Sequence, residues 1–428
     1  MTPRKHKAAS RFRRFFSALG PGLITGAADD DPSGISTYSV AGAQFGYGPL
    51  WTAWFSFPLM VSVQLMCARL GLVSGQGLGC LIRRYYPRWV LWSACSLLVV
   101  ANLVNIGADL AGMAASTALM TGIKPYYLTP LYTGLIVVLL ARFSYRRIAT
   151  TFKWMTLVLF AYVIAAFFAH PNWRAVLHAT FVPNMQWSSS YLATFVGVLG
   201  TTISPYLFFW QATQEVEEDR DKGKTTVRQR RGATEKELQD SRADVVAGML
   251  FSNLIMYFII LTTAATLNAH GHTQIATAQQ AAEALRPLAG NAAYLLFTLG
   301  IVGTGMLSVP VLAGSTAYAI SEAAAWRSSL QDTPRSAPGF YSVLGIAMFL
   351  GMALDYAGFD AVPMLFWSAV VNGVLAPPLI VLVVLLTSRR KVMGDHVSSP
   401  GLRCLGWLTA VVMTLAAVAM FATMRPFQ

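Results

Sequence analysis

Apolar stretches recur along the chain at 17–43, 49–73, 89–120, 126–142, 152–169, 190–212, 244–268, 291–323, 340–355, 361–387 and 404–424, separated by polar segments. A helix needs about 20 mostly apolar residues to cross a hydrocarbon core about 30 Å thick, and the stretches approach or exceed that length. The pattern predicts an all-α membrane protein with eleven transmembrane helices. The third and eighth stretches are long enough to tilt strongly or to project beyond the bilayer. The first stretch is interrupted: Asp29, Asp30 and Asp31 stand together in its middle, followed by Pro32, Ser33 and Gly34.

Composition agrees with the pattern. Of the 428 residues 55% are hydrophobic and 12% charged, against about 25% charged in an ordinary soluble domain. The formal charge of +13 does not point to nucleic acid, because the basic residues lie between the apolar stretches and not on a folded soluble domain. Their placement sets an orientation instead. With the N-terminus inside, four of the 32 basic residues, Lys124, Arg174, Arg286 and Arg425, face outward. The expected location is the inner (plasma) membrane of a bacterial-type cell. The basic arm 1–16 precedes no compact apolar core with a small-residue cleavage site, so it reads as a retained cytoplasmic segment.

The body of the chain is then a ten-helix core over 17–387, followed by a cytoplasmic loop and an eleventh helix over 388–428. Residues 214–243 read as an amphipathic or flexible cytoplasmic linker rich in both charge signs. Within it, Asp221-Lys222-Gly223-Lys224-Thr225 lacks the spaced glycines of a phosphate loop. Cys67, Cys80, Cys95 and Cys404 have no Cys-x-x-Cys spacing, so neither a disulfide framework nor a thiolate metal site is expected. No separate catalytic domain remains. The reading is therefore not an enzyme, with no resident cofactor and the lipid bilayer as surroundings.

Ionisable side chains cost about 2.5–3.5 kcal/mol each in the hydrocarbon, so those in mid-stretch mark function. Pro32 removes a backbone donor and clashes with the preceding turn, and Gly34 relaxes the backbone, so the first helix should break between about 28 and 34. A break frees carbonyls, which together with a carboxylate make a hard-oxygen cation site. The alternative is an interfacial loop between two shorter segments. A second break is expected at Thr201-Thr202-Ile203-Ser204-Pro205-Tyr206 in the sixth helix. Interruptions in helices one and six are the trace of an inverted 5+5 repeat, with substrate near the midplane. A proline kink serving packing alone is the competing reading. Asp109 in the third helix either lines the ion path or bonds a helix break. Asn372, Gln211 and Gln214 are pore-lining candidates or helix–helix glue. Asp244, Glu322, Asp355 and Asp360 sit near helix ends and read as solvated.

These residues carry a family likeness. Gly20-Pro21-Gly22 leading into Asp31-Pro32-Ser33-Gly34, Gly46-Tyr47-Gly48 with Leu50-Trp51, Asp109-Leu110-Ala111 and the sixth-helix proline resemble the Nramp family of divalent-metal transporters. The likeness is greater to its branch of Nramp-related magnesium transporters. It implies alternating access by one transport unit, a monomer. Where transition-metal members carry Asp-Pro-Gly-Asn and Met-Pro-His, this chain has Gly34 for the asparagine, Ser204 for the methionine and Tyr206 for the first histidine. Gln211 stands for the second histidine and Gly112 for the third-helix glutamate. The resemblance implies a first shell of Asp31, the carbonyls of Ala28 and Thr201, and Ser204 with water, with Asp29 or Asp30 adding negative potential. Oxygen donors suit Mg²⁺ and tolerate Mn²⁺. Loss of the histidines and glutamate makes proton coupling doubtful. A proton-coupled Mn²⁺ or Fe²⁺ transporter and a cation-coupled symporter for an organic solute remain as alternatives.

Overall fold

The computed structural model describes residues 21–143, 147–148, 155 and 157–424. The basic arm 1–16, Arg146, all of 152–156 except residue 155, and Arg425 lie outside them. The described chain forms α1 (Pro21–Asp29), α2 (Pro32–Phe45), α3 (Trp51–Ser74), α4 (Leu78–Tyr85), α5 (Arg88–Thr121), α6 (Pro125–Arg142), α7 (Phe160–Phe168), α8 (Ser189–Thr202), α9 (Pro205–Asp221), α10 (Glu235–Thr266), α11 (Ala293–Ala324), α12 (Pro338–Asp355), α13 (Ala361–Thr387) and α14 (Pro400–Thr423), with shorter helical turns between some of them. Among the described residues, eight helices are long and apolar enough to cross a membrane. Of the other three stretches, the first is divided into α1 and α2, the fourth is α6, and the fifth is helical over 157–168.

Both expected breaks are present, and both have a local cause. A residue before proline is pushed towards extended backbone. Asp31 (φ −70°, ψ 170°) and Ser204 (φ −78°, ψ 131°) adopt it. Each following proline opens a new helix, where its missing N–H is no loss. The two caps differ. Asp31 caps forward, its Oδ1 accepting the Gly34 N–H at 2.7 Å. Ser204 makes no such cap; its hydroxyl turns back to the carbonyls of Gly200 (2.9 Å) and Thr201 (2.7 Å) at the end of α8.

Packing follows an exchange between the halves. α1 and α2 lie along α10, the helix after the second break, while α9 lies along α3, the helix after the first. At both crossings backbones nearly touch. A Cβ on Gly26 of α1 would collide with the backbone of Gly248 in α10, and one on Gly71 of α3 with the carbonyl of Ala212 in α9. Only glycine admits such approach. α5 packs on α11 and α8 on α13, and Asn102 of α5 donates from Nδ2 to Ser315 Oγ and Thr316 Oγ1 of α11 at 2.8 and 2.9 Å.

Two expectations need correction. The segment 214–243 is not a loose linker: α9 runs on to Asp221, α10 starts at Glu235, and Glu215, Glu217, Asp219 and Arg230 are buried. The short connection is fastened, with Arg230 donating to the carbonyls of Gly75, Lys224 and Thr225, and Gly232 N–H to Val73. Charge composition suggested solvent, but Glu217 meets Arg220 at 2.6 Å and Asp219 meets Lys224 at 2.9 Å, so the charges are paired locally. Asp244 and Glu322 are likewise buried and not solvated. Asp244 accepts the Gly22 N–H at 2.6 Å and Glu322 the Cys80 N–H at 3.2 Å, each carboxylate capping the start of another helix.

Candidate functional site

The two breaks face one another across the core. Tyr206, in the first turn of α9, donates its hydroxyl to the Ala28 carbonyl at 3.0 Å and reaches Asp31 Oδ2 at 3.5 Å. Asp31 is buried, and its two oxygens divide their work. Oδ1 is held by the Gly34 N–H and the Ser33 hydroxyl, both at 2.7 Å, and Oδ2 accepts from Asn105 Nδ2 of α5 at 3.0 Å. The capping oxygen is thereby committed to the backbone, and the second points into the space between breaks. On the capping side Gly34 fits closely: a Cβ there would come into van der Waals contact, 3.4 Å, with both Asp31 Oδ1 and the Tyr38 ring.

Ala28, Thr201 and Ser204 are all buried beside the breaks. The Thr201 side chain donates to Tyr38 Oη at 2.9 Å, and its carbonyl accepts from Ser204. Among the described residues, none of the groups hydrogen-bonded to Asp31, Ala28, Thr201 or Ser204 is a sulfur or an imidazole. A cation entering here would meet a carboxylate, carbonyls, hydroxyls and one amide, and would have to displace the Tyr206 and Asn105 contacts.

Asp29 and Asp30 face a different helix. Ser252 Oγ of α10 lies 2.6 Å from Asp29 Oδ2 and 3.1 Å from Asp30 Oδ1, while Asp29 Oδ1 and Asp30 Oδ2 have no hydrogen-bond partner among the described residues. Neither bonds to the groups around Asp31. Asp109 accepts from Ser308 of α11 at 3.0 Å and is near enough to Asp31 to interact electrostatically. Gln211 stands apart from the breaks, tying Thr25 of α1 (2.7 Å) to Glu215 (2.9 Å). Asn372 is buried in α13, and neither amide atom has a hydrogen-bond partner among the described residues. Gly112 is closed in by Leu365, 2.9 Å from where a Cβ would be.

Sequence reading did not select Asn105, Ser252, Tyr38 or Ser308. Asn105 had a usable signal: it lies four residues before Asp109 on one helix face within an apolar run. Ser252 and Ser308 had none, since single hydroxyls are common in buried helices.

A sequence profile described as natural resistance-associated macrophage protein-like, Nramp, matches residues 22–423. The chain belongs to the Nramp family. This Nramp protein is thus a membrane transporter and not an enzyme. It is 28% identical over 415 residues, 94% of its own length and 88% of the relative's, to a protein of Deinococcus radiodurans named divalent metal cation transporter MntH. Among solved structures, a manganese transporter of Eremococcus coleocola in complex with an aromatic bis-isothiourea compound superposes with a TM-score of 0.76 at 19% identity, covering 99% of this chain and 89% of that one. Mhp1, a nucleobase-cation-symport-1 family transporter, gives 0.55 at 14% identity, over 95% and 92%. These likenesses fix the fold of this Nramp protein as the inverted 5+5 arrangement with helices one and six broken.

Proposed function

We propose that this Nramp transporter takes up a divalent cation, with Mg²⁺ preferred and Mn²⁺ accepted, by alternating access at the paired breaks and with the N-terminus cytoplasmic. The observation that carries the preference is the donor set around Asp31. Carboxylate, carbonyl and hydroxyl oxygens favour a hard ion, and Mg²⁺ dehydrates reluctantly, so a site with few protein ligands and room for water suits it. Asp31 Oδ2 supplies the charge. The Ala28 and Thr201 carbonyls and Ser204 complete the protein side once Tyr206 withdraws.

Transport without proton coupling follows from the positions that the resemblance assigns to the proton-relaying groups. Tyr206 and Gln211 are not imidazoles, and Leu365 occupies the space a side chain at Gly112 would need. The membrane potential alone supplies about 4.6 kcal/mol per 100 mV to a divalent ion. A second reading, proton-coupled Mn²⁺ uptake, draws on the buried carboxylates of Asp29, Asp30 and Asp109 and on the substrates named for the relatives. One experiment separates the readings. In proteoliposomes, Mg²⁺ and Mn²⁺ influx are followed while internal pH is recorded. Mg²⁺ influx driven by an inside-negative potential with no internal acidification is expected. Acidification that tracks metal entry overturns the uncoupled reading, and Mn²⁺ influx that excess Mg²⁺ fails to inhibit overturns the ion preference.

A further inference from the structure

Away from the breaks, a cavity of about 500 Å³ opens between α3, the first turns of α10 and the entry to α14. Its long wall is a ladder at four-residue intervals: Phe57, Val61, Leu65 and Arg69 descend one face of α3. At about 1.5 Å per residue, the ladder is about 18 Å long. Its three apolar rungs are partly exposed, with no protein segment over them among the described residues. The polar end is built by Arg69, Arg242 of α10 and Ser399, the cap of α14.

The chemistry of that end is cationic. Arg69 donates from Nη2 to the His396 carbonyl at 2.8 Å, and its Nε is buried with no hydrogen-bond partner among the described residues. Arg242 is exposed and has no ion pair among the described residues. The acidic group nearby, Glu235, faces His396 at 3.7 Å and leaves the guanidinium Nε unmet. Among the described residues, Glu235 is the one carboxylate that interacts with Arg69, against two guanidinium groups, and a guanidinium fork matches a phosphate diester in geometry and charge.

We propose that this groove binds one anionic phospholipid, its phosphate between Arg69 and Arg242 and an acyl chain along Leu65, Val61 and Phe57. The groove opens on the side of the protein where basic residues collect, and a basic pocket between helices there is matched to anionic headgroups. Assignment to the cytoplasmic leaflet rests on the orientation proposed above; the binding itself does not. Because α3 carries α9 and α10 carries α1, the lipid would brace two helices that each hold one half of a broken pair.

The test uses the full-length protein, delipidated in detergent and titrated with dioleoyl phosphatidylglycerol or dioleoyl phosphatidylcholine, with bound lipid counted by native mass spectrometry. One phosphatidylglycerol is expected to be retained in preference to phosphatidylcholine. The double variant Arg69→Gln/Arg242→Gln should weaken its apparent affinity about tenfold. Arg83→Gln/Arg84→Gln, on the exposed end of α4, should leave it unchanged. Leu402→Trp fills the groove without altering charge and should also exclude the lipid. Equal retention of the two lipids, or undiminished phosphatidylglycerol binding by Leu402→Trp, overturns the assignment even if the double variant fails to fold. Displacement by millimolar inorganic phosphate identifies a soluble-anion site instead, and a lipid-free dimer in the spectra identifies a second copy as the occupant. Either result overturns the proposal.

Discussion

Asp31 does two things with one carboxylate: Oδ1 starts α2 and Oδ2 faces the proposed ion. The two roles separate experimentally, because asparagine caps helices nearly as well as aspartate but carries no charge. Asp31→Asn should therefore fold with a thermal transition close to that of the parent and lose divalent influx to background in proteoliposomes. Retained influx would remove Asp31 from the site. Ser204→Met places a thioether where a hydroxyl now turns back on α8, and should shift the Mn²⁺:Mg²⁺ preference towards Mn²⁺ by about tenfold, equivalent to about 1.4 kcal/mol. Competition between the two ions in the same influx assay measures it. At this scale the sequence was readable where proline forced the backbone: Asp31-Pro32 and Ser204-Pro205 located the breaks to within a residue or two. It was not readable where burial decides the role. Asp244 and Glu322 stand near run ends, as solvated carboxylates do, and only the fold brings each one a helix N-terminus to cap.

Between elements, two of the close backbone contacts join the two halves of the repeat. Gly71 on α3 admits the Ala212 carbonyl of α9, so Gly71→Ala forces these helices apart. A destabilisation of about 1–3 kcal/mol is expected, measured as a lowered unfolding midpoint in detergent. An unchanged midpoint would mean the crossing is looser than described. Hydrophobic runs predicted which segments are helices, since apolar length alone specifies them. They misjudged 214–243, because charge density reads as solvent exposure until its partners are known. Glu217 finds Arg220, Asp219 finds Lys224, and Arg230 finds the Gly75 carbonyl at the end of α3 and the carbonyls of Lys224 and Thr225. Helix pairing was not legible either: nothing in the periodicity of α1 says that it lies on α10.

For the whole molecule, α4, α9 and α11 pack against one another on the basic-rich side. Glu322 of α11 reaches the start of α4, where it accepts the Cys80 N–H and fills the space beside Gly77. Burial, with the nearby Glu322 charge, pushes the Cys80 thiol well above the usual cysteine range, so in this arrangement it is a poor nucleophile. Cys67 and Cys95 are buried and Cys404 is exposed, so in a Cys404→Ser background Cys80 becomes a native reporter of opening. Glu322→Ala should raise its maleimide labelling rate about tenfold, in line with about 1–3 kcal/mol for a lost buried hydrogen-bond partner. A rate unchanged from the parent would show that Glu322 does not hold α4.

The contact of Gly26 with the Gly248 backbone reaches further than packing. A transporter must visit arrangements other than this one, and a side chain at position 26 penalises only those in which α1 touches α10. Gly26→Ala is then a ballot between states: it subtracts from the arrangement with α1 against α10 and leaves any state with the two apart untouched. Each 1.4 kcal/mol so removed multiplies the relative population of the separated state about tenfold. A single methyl group at this crossing should therefore raise the share of the separated conformer, at a cost of about 1–3 kcal/mol to the one in contact.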